Sequence, residues 1–125
     1  MSPMKLILIL NIILGMGTIL AHTETGKASW YSTKCNGGTR TASGQKLVNS
    51  ANTAAHKTLP MGTQIKVTNL KNGKSEICTI NDSGPFVKGR IVDVTIGVAE
   101  KLGFKKSGVT TVKIEVVGKV KLNKK

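Results

Sequence analysis

Two short segments of alternating hydrophobicity, residues 64–70 and 110–117, set the tightest limit on what this chain can fold into. In the first, Ile65 and Val67 share a face against Lys66 and Thr68. In the second, Val112, Ile114 and Val116 oppose Thr111, Lys113 and Glu115. A period of two places each apolar set on one side of a strand, so one face must be covered and the other left wet. Asn72-Gly73 follows the first segment and is the signature of a type I′ hairpin, which makes residues 74–80 its partner strand. Residues 27–32 and 90–94 read as further strands. Residues 33–49 carry Gly37, Gly38 and Gly44 without apolar period, a long irregular loop. Residues 51–56 fit one helical turn, and Leu59-Pro60-Met61-Gly62 is a turn signal. One short helix spans 95–102, with Thr95 as N-cap, Gly103 at the left-handed C′ position and Val98, Ala99 and Leu102 as its apolar face. Five or six short strands with little helix predict a mainly β fold, a small closed β-barrel.

The N-terminus predicts a targeting segment. Lys5, the apolar run from Leu6 and the small residues leading to Ala21 describe a secretory signal peptide over residues 1–21. The run contains Asn11 and falls short of the roughly 20 apolar residues a membrane span needs. No stable membrane insertion is therefore expected after cleavage. One domain is expected over 22–117, followed by a basic tail, 118–125. In a secreted or periplasmic chain Cys35 and Cys78 predict a disulfide, which stabilises by about 4 kcal/mol when it closes so long a loop. Two free thiols are the alternative. The cysteines have no C-x-x-C spacing, no cofactor motif is present, and neither metal nor cofactor is expected.

The formal charge is +13, from 19 basic and 6 acidic side chains. Outside the cytoplasm such a surface suits acidic polymers of a cell wall. Export, and an aromatic set of one Trp, one Tyr and two Phe, argue against nucleic acid as the partner. With so few acids, the pair flanking the Gly84–Gly89 turn stands out. Asp82 emerges at the end of one strand, and Asp93 shares a strand face with Ile91. If the connection folds back, the two reach one groove, where like charge or burial raises one pKa and makes a general acid. The same residues also serve as ordinary turn and strand polar groups. His56, after Ala54-Ala55, is either a satisfied core histidine or a partner that deprotonates a sugar hydroxyl. Trp30 and Tyr31 either stack on sugar or fill the core.

Taken in order, Gly26-Lys27-Ala28-Ser29-Trp30-Tyr31, Thr41-Ala42-Ser43-Gly44, Ala54-Ala55-His56-Lys57, Val67-Thr68-Asn69-Leu70, Asn81-Asp82-Ser83-Gly84-Pro85 and Arg90-Ile91-Val92-Asp93 resemble the RlpA (rare lipoprotein A) lytic transglycosylases over about residues 26–117. The resemblance implies a six-stranded double-psi β-barrel with one or two short helices, monomeric and acting on peptidoglycan. It implies cleavage of MurNAc–GlcNAc bonds in glycan strands stripped of stem peptides, with a 1,6-anhydro product. Asp82 matches the family acid, favoured here as proton donor, His56 its histidine, and Asp93 the acid of related double-psi barrels. Gln45, Ser83, Trp30, Tyr31 and Thr41 are the expected substrate-binding residues. Gln45 stands where the family has Glu, and Ser83 where it has Arg. A non-catalytic, expansin-like or barwin-like wall-binding protein is the alternative.

Overall fold

The computed structural model describes residues 22–32, 41–84 and 87–122. The expected signal peptide, Cys35, residues 33–40 of the glycine-rich loop and Pro85-Phe86 lie outside the described residues. The elements in order are β1 (Thr23–Tyr31), β2 (Thr53–Ala55), β3 (Thr63–Asn69), β4 (Ser75–Asp82), β5 (Arg90–Thr95), α1 (Ile96–Leu102) and β6 (Val109–Lys119). The strands close into a barrel in the order β1-β5-β2-β4-β3-β6. Two neighbouring pairs, β1 with β5 and β2 with β4, are parallel, and the other four are antiparallel. Closure leaves no sheet edge to template aggregation.

The barrel interior is built by the alternation legible in the sequence. Ile65 and Val67 from β3, Val112, Ile114 and Val116 from β6, and Val92 and Val94 from β5 point inward. Val98, Ala99, Leu102 and Phe104 join the same core from α1 and the turn after it. Thr95 caps α1 as expected, its side chain accepting from the Val98 N–H, and Gly103 takes the left-handed C-cap at φ 80°.

Several expectations are corrected. Residues 53–55 form β2 rather than a helical turn, because the β4 and β5 backbones flank them and complete their hydrogen bonding. β1 begins at Thr23, where β6 pairs with the polar residues before Lys27. The β3–β4 connection is a longer loop than a type I′ turn. Gly73 takes φ 79° while no non-glycine residue among the described ones has positive φ, and Asn69 closes the loop through its backbone to Lys74 and Gly73. The proposed tail does not start at Gly118. Gly118 and Lys119 pair with Gln64 and Thr63 in β6, and the Val120 N–H donates to the Gly62 carbonyl at 2.8 Å. The Cys35–Cys78 disulfide is not formed. Cys78 is a free thiol on the inward face of β4, wholly buried, and burial pushes it up to about 12.

Gly62 allows the β6 extension to lie against β3. Its φ is +93°, and a Cβ there would meet the Val120 carbonyl oxygen at 2.3 Å. Gly62→Ala is expected to destabilise by about 2 kcal/mol through left-handed strain and that clash, read as a lower urea midpoint. An unchanged midpoint would show that the extension is free to move.

Candidate active site

Register, rather than sequence proximity, assembles the site. Ser29 of β1 pairs with Asp93 of β5, Asp93 pairs with Ala55 of β2, and Ala55 pairs with Asp82 of β4. Four adjacent strands thus contribute one row, Ser29–Asp93–Ala55–Asp82, on the side of the sheet opposite the barrel core. A bulge in the β2–β4 pairing between Ala54 and Ala55 makes this possible. Ile80 faces the core, so plain alternation would also turn Asp82 inward. The extra residue, Asn81, resets the period and re-aims the acid. Strand spacing of about 4.8 Å then puts the two acid Cα atoms roughly 10 Å apart, with Ala55 between them. Tyr31 and Leu47 join Ala55 in a small buried cluster at the floor.

A turn at residues 41–45 braces Asp82. The Ala42 and Ser83 N–H groups donate to Asp82 Oδ1 at 3.1 and 2.8 Å. The Ser43 N–H donates to the Asn81 carbonyl at 3.1 Å, and Asn81 Nδ2 donates to Gln45 Oε1 at 3.0 Å. Thr41, buried in the turn, shares a hydroxyl bond of 2.9 Å with Ser43 and donates from Oγ1 to the Gln45 carbonyl. Thr41 and Gln45 therefore shape the acid's support.

Asp93 receives a hydrogen bond from the Ser29 hydroxyl. Burial raises its pKa above the usual carboxylate value. The Ser29 hydrogen bond and the Arg90 charge oppose that rise, and the Asp82 charge adds to it. Burial likewise pushes the Tyr31 phenol far up, Thr53 opposing and Asp82 and Asp93 contributing. Among the described residues the buried Tyr31 hydroxyl makes no close hydrogen bond, Thr53 lying near it without good geometry.

His56 belongs to a different constellation. Its backbone N–H donates to the Asp82 carbonyl at 3.0 Å, but its ring, 3% exposed, is turned away from both acids. Nδ1 accepts from the Thr58 and Leu59 N–H groups at 3.1 and 3.0 Å, and Nε2 lies 2.7 Å from Glu24 Oε1. An Nδ1 that accepts two N–H bonds fixes the proton on Nε2, so the ring donates to Glu24. Partial burial disfavours the Glu24 charge, but hydrogen bonds and charge from His56 and then His22 outweigh it and hold its pKa below the ordinary value. The ligand atoms of His22, Glu24 and His56 all lie within 4.8 Å of one another, the composition of a small metal site. The tautomer argues against that use, since a ligating Nε2 must give up its proton and metal-bound histidines donate from the other nitrogen. The cluster ties β1 to the end of β2.

Trp30 also leaves the site. It packs against the barrel core and donates from Nε1 to the Lys105 carbonyl at 3.1 Å. Ser83 is exposed and meets Asp82 through its backbone. Sequence reasoning missed Ser29, Ala55 and Asn81 as site residues. The signal lay in Ala54-Ala55, where a small residue is needed between two acids, but only the pairing shows which strands flank it.

Comparison with known proteins settles the family. Residues 23–114 match the family model described as lytic transglycolase. The chain belongs to this family. It is 53% identical over 97 residues to the endolytic peptidoglycan transglycosylase RlpA of Rickettsia felis, covering 76% of this chain and 42% of that protein. The RlpA of Neisseria meningitidis serogroup B is 50% identical over 99 residues, covering 79% and 41%. That of Pseudomonas aeruginosa is 44% identical over 105 residues, covering 84% and 30%. The chain thus spans less than half the length of these curated relatives. Among solved structures, the Streptomyces papain inhibitor superposes with TM-score 0.63 at 19% identity, over 79% of this chain and 97% of that one. The Clavibacter michiganensis expansin gives 0.59 at 20% identity, over 78% and 51%. These two likenesses are of fold, the double-psi barrel.

Gln45 accepts from Asn81 Nδ2 through its side-chain carbonyl oxygen, a bond that needs no charge at this position. Ser83 holds Asp82 through a main-chain N–H that any non-proline residue supplies.

Proposed function

We propose that the protein is a lytic transglycosylase of the cell envelope, cleaving MurNAc–GlcNAc bonds of peptidoglycan strands. The observation that carries this reading is the row of Asp93 and Asp82 across Ala55, with Asp93 held toward its protonated form. The relatives named as endolytic peptidoglycan transglycosylases support the substrate. In this reading Asp93 gives its proton to the glycosidic oxygen as the C1–O bond breaks. The muramoyl 6-hydroxyl attacks C1, and its proton passes to the Asp93 carboxylate, which regains the proton it gave. The new C1–O6 bond closes the 1,6-anhydro ring, and no water is consumed. Burial, with a smaller contribution from the Asp82 charge, favours the protonated form of Asp93, and Asp82 faces the positive charge that develops at C1. The role of donor moves from Asp82, favoured on motif correspondence, to the acid whose pKa burial raises. His56 and Glu24 position the strand that carries Ala55. The Tyr31 phenol is available to a sugar hydroxyl. Among the described residues no helix is long and apolar enough to cross a membrane.

Incubation of the protein with purified glycan strands, followed by mass spectrometry, should show 1,6-anhydromuramoyl ends. Reducing ends from hydrolysis, or no cleavage at all, would remove the proposal and leave the wall-binding alternative. A second outcome tests the gap between the acids. Ala55→Leu fills it and should lower turnover by at least about tenfold, the order expected when a reacting bond is displaced from its acid. Cleavage at the wild-type rate by a folded Ala55→Leu protein would place the scissile bond elsewhere.

A further inference from the structure

The end of β6 and the residues after it build a groove that the family match, ending at residue 114, does not include. Lys119, Val120, Lys121 and Leu122 lie there, against Met61 and the turn residues Ala42 and Ser43, around an open groove of about 480 Å³. The Ala42 and Ser43 N–H groups also brace Asp82 and Asn81, so one turn borders both the groove and Asp82. Met61, Val120 and Leu122 give it an apolar strip, while Lys119 and Lys121 are the charged groups that line it among the described residues. Neither lysine forms an ion pair with a described residue, and none of the six acids lines the groove. Two unanswered ammonium groups beside an apolar strip match a pyranose ring whose C–H face packs while a carboxylate meets the cations. A neutral sugar would fill the strip and leave the charges unused.

We propose that this groove is a subsite for a carboxylate-bearing sugar of the glycan strand, with Lys119 and Lys121 as its specificity-determining residues. The proposal rests on the glycan reading of the acid pair. On a peptidoglycan strand, the group concerned is the lactyl carboxylate of a muramoyl residue, which is charged only where no peptide is joined to it.

The test compares three ligands by calorimetry in low salt: a GlcNAc–MurNAc tetrasaccharide, the same compound with its lactyl groups as methyl esters, and chitotetraose. Wild type should bind the free acid more tightly than the ester or chitotetraose. Lys119→Gln with Lys121→Gln should weaken the acid by about three- to tenfold, the range for two exposed charge contacts, and leave the neutral ligands unchanged. Lys105→Gln with Lys106→Gln, which sit elsewhere on the surface, should match wild type. Equal affinity of wild type for acid and ester, or an unchanged acid preference in the Lys119/Lys121 variant, overturns the subsite. A protein that prefers the acid but leaves no anhydro product would keep the subsite and sink the transglycosylase reading. Cleavage without acid preference would do the reverse.

Discussion

Asp93→Asn is expected to lower glycan cleavage by at least about a hundredfold, the contribution of a positioned general acid, and to raise the melting temperature at neutral pH. The two effects share one cause. Burial and the Asp82 charge raise the Asp93 pKa on folding, so the native protein holds this proton more firmly than the unfolded chain does. The resulting stabilisation is complete below the ordinary carboxyl value and is lost as pH rises through the raised value. Above that value the fold carries a partly buried charge that Asn removes, while the Asn carbonyl still accepts from Ser29. Thermal melts of both proteins between pH 4 and pH 7.5 check this, with the gap in favour of the variant widening as pH rises. Wild-type turnover should fall over the same rise. A variant that cleaves at the wild-type rate would return the donor role to Asp82. A variant whose stability advantage shrinks with rising pH would contradict the direction of the shift.

Asn69→Ala is expected to cost about 3 kcal/mol, the largest stability loss from a single polar residue in this barrel. Asn69 is 2% exposed and ends β3. Its Nδ2 donates to the Leu102 carbonyl at 2.8 Å, and its Oδ1 accepts from the Lys71 N–H and the Thr110 hydroxyl, each at 3.0 Å. One side chain thereby joins the β3–β4 loop, the last turn of α1 and the start of β6. Truncation strands the buried Thr110 donor and leaves Leu102 with Asn72 as its remaining side-chain donor. For a domain of this size the loss corresponds to a fall in melting temperature of about 12–24 °C. A fall of only a few degrees would mean that water replaces the amide at little cost.

Asn69 also shows why the sequence was legible in some places and silent in others. In the sequence, residues 69–73 carry a hairpin signal, and a hairpin does form. Its loop is wider than Asn72-Gly73 alone indicates, because the Asn69 side chain is engaged by the Leu102 carbonyl, 33 residues further along the chain. The helical turn expected at 51–56 fails for the same reason. Thr53, Ala54 and Ala55 take the conformation of the two strands that enclose them against the helix preference of alanine.

What the sequence determined by itself is what repeats locally. The period-two runs placed Ile65, Val67, Val112, Ile114 and Val116 in the core, Thr95 and Gly103 bounded the helix, and ordered motifs identified the family and singled out two acids. The tertiary structure alone decided how those acids stand. A one-residue bulge at Asn81 turned Asp82 outward, and pairing through β2 set Asp93 across Ala55 from it. The same pairing drew His56 into a bond with Glu24 and away from the acids. The physical reason is that alternation is a property of one strand, whereas register belongs to a pair. A shift of a single residue, invisible in either strand alone, exchanges the face on which every later side chain stands.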